Sequence, residues 1–151
     1  MSERSIFLEL LDIADPGFSG YGLTETAFAV VGAIVSGLMG IAPDAPNQRV
    51  ETLSRLADGT AWVRVTRLPL VRNEITVEHR GSAESVFINQ SGPLLQWKAA
   101  FVVTHANARI LVDGTSVPVT IEHRSGGSLV ASAVVPAGAG RSLTAKLKDD
   151  G

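Results

Sequence analysis

The chain of 151 residues contains no cysteine, few aromatic residues and few charges. Without cysteine it can form no disulfide, no thiolate metal site and no thiol nucleophile. Charged residues make up 19% of the chain, the net charge is −2, and the basic residues are scattered singly. We therefore expect no nucleic-acid partner, because such proteins concentrate Lys and Arg on one surface. With 45% hydrophobic residues, the composition is typical of one folded globular domain.

The N-terminal residues do not predict a secretion signal. Glu9, Asp12 and Asp15 interrupt the region in which a signal peptide would need an uninterrupted apolar core. We therefore expect a cytoplasmic protein.

The longest hydrophobic run covers residues 27–42, where Ser36 is the only polar side chain. As a helix these 16 residues would span about 24 Å, which is short of the ~30 Å hydrocarbon core of a membrane. We do not expect a membrane span, although binding to a membrane surface is an alternative. Gly32, Ser36 and Gly40 recur every four residues, a small-residue stripe that allows another element to pack closely.

Local signals predict an apolar helix over residues 25–39. Thr24 is a suitable N-cap, and Gly40 can end the helix in the left-handed conformation with Ile41 packing back. A shorter helix is predicted over residues 3–13, where apolar residues recur with helical spacing. Residues 40–46, which include two prolines, are predicted to be a connector without regular structure.

From Val50 onward the hydrophobic period changes to two, which is typical of strands with one buried face. The fold class predicted is mainly β: an antiparallel β-sandwich of about eight strands, preceded by one or two α-helices. We divide the chain into a helical segment, residues 1–46, and a sandwich domain, residues 47–151. The predicted strands occupy residues 61–70, 73–81, 84–92, 94–103, 108–114, 115–124, 128–136 and 141–148.

Two positions add detail to the strand pattern. Asp113-Gly114 is a strong signal for a hairpin turn. Pro118 lies within a strand pattern, so that strand is expected to be bulged or at a sheet edge.

No residues are predicted to be catalytic, to bind a cofactor or to bind a metal. The motifs VEHR, residues 77–80, and IEHR, residues 121–124, could bring Glu78, His79, Glu122 and His123 together at one sheet edge. The favoured interpretation is that these are charged strand ends that discourage edge pairing. The aspartates stand mostly in turns, and no carboxylate pair of the glycosidase kind stands out.

Aromatic residues are the remaining candidates for ligand binding. Trp62, Trp97 and Tyr21 could form a platform on which sugar rings stack. The alternative, which we favour for each tryptophan, is a place in the sandwich core.

The apolar helix and the first strands together resemble the C-terminal end of six-hairpin glycosidases, the (α/α)6-barrel enzymes of the glycogen-debranching and rhamnosidase type. The resemblance covers roughly residues 20–127. In that family the last barrel helix ends in a Gly-Leu-x-Gly-hydrophobic-x-Pro-Asp turn, and a β-sandwich follows. The matching positions here are Gly37, Leu38, Gly40, Ile41, Pro43 and Asp44, then Leu53, Arg55 and Leu56.

The resemblance implies a non-catalytic accessory or assembly domain of a glycoside-hydrolase-like, carbohydrate-active protein. Complete enzymes of this type carry several hundred residues of barrel, with the general acid and base, before this point. We therefore expect no turnover by this chain alone, and a stand-alone carbohydrate-binding module is the alternative function.

An apolar helix is normally covered on all sides. Uncovered, this one would leave apolar surface costing on the order of 5–10 kcal/mol in water. We therefore predict that it is buried in a homodimer or against a barrel domain or chain. The predicted interface residues are Phe28, Val31, Gly32, Val35, Ser36 and Met39.

Overall fold

The computed structural model describes residues 4–9, 33–57, 59–70 and 72–148, with side chains from residue 35 onward. Most of these residues form strands in two facing sheets, so the predicted fold class, a mainly β sandwich, is confirmed. The strands are β1 (Arg4–Glu9), β2 (Ala42–Asp44), β3 (Arg49–Leu53), β4 (Thr60–Leu70), β5 (Asn73–Arg80), β6 (Glu84–Ser91), β7 (Leu95–Val103), β8 (Arg109–Val112), β9 (Thr115–Val117), β10 (Thr120–His123), β11 (Leu129–Ala137) and β12 (Arg141–Lys148).

The strands divide into a seven-stranded sheet with the order β1-β4-β5-β6-β12-β8-β9 and a five-stranded sheet with the order β10-β11-β7-β3-β2. Most neighbours are antiparallel, but β1 pairs with β4 and β3 pairs with β7 in parallel. The core between the sheets is anchored by Trp97 and Phe87, whose rings stack with centroids 5.2 Å apart. Both side chains are fully buried.

The helix predicted over residues 3–13 is wrong where the structure describes it, because Arg4–Glu9 is a strand paired with β4. A short apolar run fits helix and strand equally well, and here the open edge of β4 provides six residues of pairing.

The end of the apolar run is described from Ala33. Ala33–Leu38 forms a π-helical turn and Met39 lies in a bend after it, whereas residues 25–32 of the helix predicted over 25–39 lie outside the described residues. Gly40 has φ +57 and the amide of Ile41 donates to the carbonyl of Val35 at 2.9 Å, so the predicted left-handed stop is confirmed. Met39 and Ile41 are buried in the core of the sandwich.

The prediction of an irregular connector over residues 40–46 is wrong. Ala42–Asp44 pairs antiparallel with β3, and Ala45–Asn47 forms a 3-10 turn. Pro43 is compatible with this strand because β2 lies at the edge of its sheet, where one side needs no amide donor.

The two signals in the later strands are confirmed. Asp113 and Gly114 have φ values of 48 and 82 in the hairpin that joins β8 to β9. The strand pattern around Pro118 is divided in two: β9 ends the seven-stranded sheet and β10 begins the five-stranded one. The chain therefore changes sheets at this proline, and both pieces are edge strands.

Candidate functional site on the outer face of the seven-stranded sheet

A row of side chains crosses the outer face of the seven-stranded sheet at right angles to its strands. Trp62 on β4 pairs with Arg80 on β5, Arg80 with Glu84 on β6, Glu84 with Lys146 on β12, and Lys146 with Leu111 on β8. Neighbouring strands are about 4.8 Å apart, so four steps span about 19 Å. The row has an apolar side chain at each end and charged side chains between them.

Glu78 lies beside this row and is held by two arginines. Its Oε1 accepts from Arg64 at 2.8 Å, and its Oε2 accepts from Arg80 at 2.9 Å. The side chain of Glu78 is only 9% exposed, whereas those of Arg64 and Arg80 are 39% and 52% exposed. The carboxylate is thus covered, and the two guanidinium groups form the surface that solvent reaches.

Trp62 is half-buried at one end of the row. The guanidinium carbon of Arg64 lies 5.8 Å from the centre of its indole ring, within cation–π range. Arg64 therefore joins the aromatic end of the row to the ion pair at Glu78.

Two open clefts lie along the outer face and share Arg80. One encloses about 420 Å³ between Arg64, Thr76 and Gln90. The other encloses about 530 Å³ and is lined by Lys146 and Lys148 among others. Together they form a trough over β4, β5, β6, β12 and β8: the second cleft lies on the row from Arg80 to Leu111, and the first begins at Arg80 and lies beside the row. Trp62 lines neither cleft and lies next to Arg64, which lines the first.

A bulge in β4 lies next to the first cleft, which Thr66 and Thr76 line. The pairing register shifts between Val65 and Leu68, and Arg67 has φ +56. Its amide donates to Thr76 Oγ1 at 3.1 Å and its Nε donates to Glu74 at 2.8 Å. The bulge turns Leu68 towards the core, where strict alternation would have placed Arg67.

Trp97 does not belong to this surface. It is fully buried and its Nε1 donates to Thr52 Oγ1 at 2.9 Å. The hypothesis that Trp97 forms an exposed sugar platform is therefore wrong, and its core alternative holds. Tyr21, the third predicted ligand-binding residue, lies outside the described residues.

The proposed Glu78, His79, Glu122 and His123 cluster does not form. The first two residues belong to β5 in one sheet and the last two to β10 in the other. Among the described side chains, no group of three or more His, Asp or Glu residues could hold a metal ion.

His79 is instead a buried core residue. Its Nδ1 lies 2.7 Å from Ser85 Oγ, and its Nε2 lies 2.9 Å from the carbonyl oxygen of Met39. A carbonyl can only accept, so Nε2 carries the proton and Nδ1 accepts from the serine hydroxyl. Burial lowers the pKa of His79, although the hydrogen bond to Met39 opposes this effect. A neutral imidazole therefore ties β5 to the end of the apolar run.

Glu122 belongs to a separate ionic network on the five-stranded sheet. Arg124 donates to both oxygens of Glu51, at 2.7 and 2.8 Å, and Lys98 lies between Glu51 and Glu122. The hydrogen bond from Lys98 is the main cause of the lowered pKa of Glu122. Burial alone would raise the pKa of Glu51, but its bonds to Arg124 and Lys98 outweigh burial and lower it. This network joins β3, β7 and the end of β10.

The predicted interface residues that the structure describes differ in their burial. Met39 is fully buried within its own chain, so its assignment to an oligomer interface is wrong. Val35 packs partly against the same core, and Ser36 is exposed. Phe28, Val31 and Gly32 lie outside the described residues.

Sequence reasoning missed Arg64, Arg80, Lys146 and Lys148 as one surface. Each side chain occupies an outward-facing position of its strand, and the alternating sequence pattern predicts that position. What brings them together is the strand order, in particular β12 between β6 and β8.

Comparison with protein-family models, with curated proteins and with solved structures finds no match to this chain. Within the described residues, no helix has the length and apolar character needed to cross a membrane.

Proposed function

We propose that the chain is a non-catalytic accessory β-sandwich of a glycoside-hydrolase-like protein, the role implied by its resemblance to the C-terminal end of six-hairpin glycosidases. The observation that carries this proposal is the attachment of the apolar run to the sandwich. Met39 and Ile41 are core residues, and the carbonyl of Met39 accepts from the amide of Leu53 at 3.1 Å and from His79.

Such an attachment fixes the end of the apolar run relative to both sheets. Val35 and Leu38 are only partly buried by the sandwich. A domain built in this way can hold an apolar element in place while that element packs against something else. The partner we propose is a barrel domain or chain, or a second copy of this chain.

The mass of the chain in solution tests the assembly. We expect a dimer at micromolar concentration by size-exclusion chromatography with light scattering, and we expect Val31→Asp to shift it to the monomer. Val102→Asp is the control, because Val102 is an exposed valine on the sandwich. A monomeric wild-type chain, or equal effects of the two variants, would contradict self-assembly. Turnover of aryl glycosides by the purified chain would contradict a non-catalytic role.

A second candidate function is carbohydrate binding through Trp62. The observation in its favour is a half-buried indole beside Arg64, a residue that lines an open cleft with hydrogen-bonding side chains. Tryptophan fluorescence titrated with oligosaccharides tests it. We expect a change that saturates and that Trp62→Ala abolishes, because Trp97 is inaccessible to a ligand. Flat titration curves would contradict carbohydrate binding and favour the purely structural role.

A further inference from the structure

We propose that the trough on the outer face of the seven-stranded sheet binds a linear acidic polysaccharide, one whose sugar units carry carboxylates. This inference rests on the second candidate function, carbohydrate binding through Trp62, and names the class of glycan. Three observations carry it: the extent of the trough, the charges along it and the chemistry at its ends.

The extent favours a chain over a single sugar. The two clefts of about 420 and 530 Å³ meet at Arg80, and their lining residues lie on five neighbouring strands from β4 to β8, a width of about 19 Å. A monosaccharide would occupy only one cleft. A polymer lying across the strands would contact both of them and Arg80 between them.

The charges favour an anionic ligand. Four cations line the trough, Arg64, Arg80, Lys146 and Lys148, against the three carboxylates of Glu78, Glu84 and Asp113. Glu78 is covered by its two arginines, so it lies beneath the ligand surface. The trough is thus locally positive although the whole chain has a net charge of −2.

The two lysines supply the free cationic groups. Within the described part of the chain, Lys146 and Lys148 have no carboxylate partner, whereas Lys98 on the other sheet is paired with Glu51 and Glu122. Asp113 lines the same cleft, and its Oδ1 accepts from the amide of Thr144 at 2.9 Å. An ammonium group without a partner can bind a ligand carboxylate without first breaking an ion pair.

The ends of the trough favour a sugar over other polyanions. Trp62 offers an aromatic side chain next to Arg64, beyond the first cleft, and Leu111 offers an apolar one that lines the second cleft. The apolar faces of sugar rings pack on such side chains, and Thr76, Gln90 and Thr144 supply hydroxyl and amide groups between them. A polypeptide of acidic residues has no equivalent ring faces.

The experiment compares one polymer backbone with and without its charge. The chain is titrated by calorimetry at low salt with polygalacturonate and with fully methyl-esterified polygalacturonate, whose carboxylates are neutral esters. Polyglutamate is the third probe, since it carries the charge without sugar rings. We expect polygalacturonate to bind at least about tenfold more tightly than either, and its affinity to fall as salt is added.

The variants place the binding in the trough. The double variant Lys146→Gln/Lys148→Gln is expected to weaken polygalacturonate binding about fivefold, since each exposed charge pair contributes modestly. Arg141→Gln is the matched control, because Arg141 is an exposed cation at the other end of β12 and outside both clefts. Thermal melts confirm that each variant is folded.

The outcomes separate the two proposals. Equal binding of the neutral and charged polymers, lost in Trp62→Ala, overturns the acidic-glycan inference and leaves carbohydrate binding intact. Binding of neither polymer overturns both proposals. Equal binding of polyglutamate and polygalacturonate, or an equal loss in Arg141→Gln and the double lysine variant, overturns the acidic glycan site.

Discussion

Met39→Ala tests whether the end of the apolar run is part of the sandwich core or merely attached to it. Met39 is fully buried and belongs to the same core cluster as residues from both sheets. Replacing it with alanine removes three heavy atoms from a site enclosed on all sides. Met→Ala changes in such sites cost about 2–5 kcal/mol, because a cavity remains in addition to the lost burial.

We expect a loss of about 3 kcal/mol in the free energy of unfolding of Met39→Ala. With a urea dependence of about 2 kcal/mol/M, the unfolding midpoint falls by about 1.5 M. The intrinsic fluorescence of the buried Trp97 reports the unfolding of the sandwich itself. Val102→Ala, at an exposed position, is expected to change stability by no more than about 0.5 kcal/mol.

A particular result would refute this reasoning. If Met39→Ala leaves the fluorescence midpoint unchanged while proteases gain access to residues 33–41, the sandwich folds without them. The end of the apolar run would then be a docked segment, and the anchoring that carries the accessory-domain proposal would be lost.

Three further predictions concern single contacts. The pKa of His79 is lowered in the folded chain, whereas an unfolded histidine titrates near pH 6.5. Because the unfolded state therefore binds the proton first, the urea midpoint should fall as the pH drops below about 6.5. His79→Gln should show a smaller change of the midpoint with pH. A rise in stability on acidification would contradict this sign. Gly40→Ala should lower the free energy of unfolding, measured by thermal melts, by more than about 2 kcal/mol, because φ is +57 and the new Cβ would clash with the carbonyl oxygen of Leu53. Gly114→Ala, with positive φ but open space around it, should lower it by about 1 kcal/mol, and equal effects of the two variants would show that the clash does not matter. Thr52→Val should lower the free energy of unfolding by about 1–3 kcal/mol, because it leaves the indole N–H of Trp97 unpaired. Thr52→Ser keeps the hydroxyl and should retain most of the stability. An equal loss in the serine variant would assign the effect to packing.

The strands of the sandwich were predictable because their hydrophobic period is local. Val65, Ile75 and Val77 each stand between polar neighbours, and the dipeptide Asp113-Gly114 is by itself a turn signal. The bulge at Arg67 was not predictable, since only the pairing with β5 shows that one residue is extra. Short strands next to prolines, such as Ala42–Asp44, carry too little pattern to be recognised.

The candidate site was harder to predict than the fold. Trp62 was recognised as a possible platform, but the cations on the same face of the sheet were not, because their grouping depends on which strands are neighbours. The possible cluster of the two EHR motifs was wrong for the same reason. Glu78 and Glu122 have nearly identical local sequences, yet the chain changes sheets at Pro118 between them, and sequence spacing does not show on which sheet a strand lies.

The change of sheets at Pro118 also limits how this chain can vary in length. Only two residues separate β9 from β10, and strand faces alternate with every residue. An insertion or deletion of one residue there would turn Ile121 out of the core and Glu122 into it. We therefore expect related chains to gain or lose residues in the turns around residues 104–107 and 125–127, and to keep a constant length across this crossing.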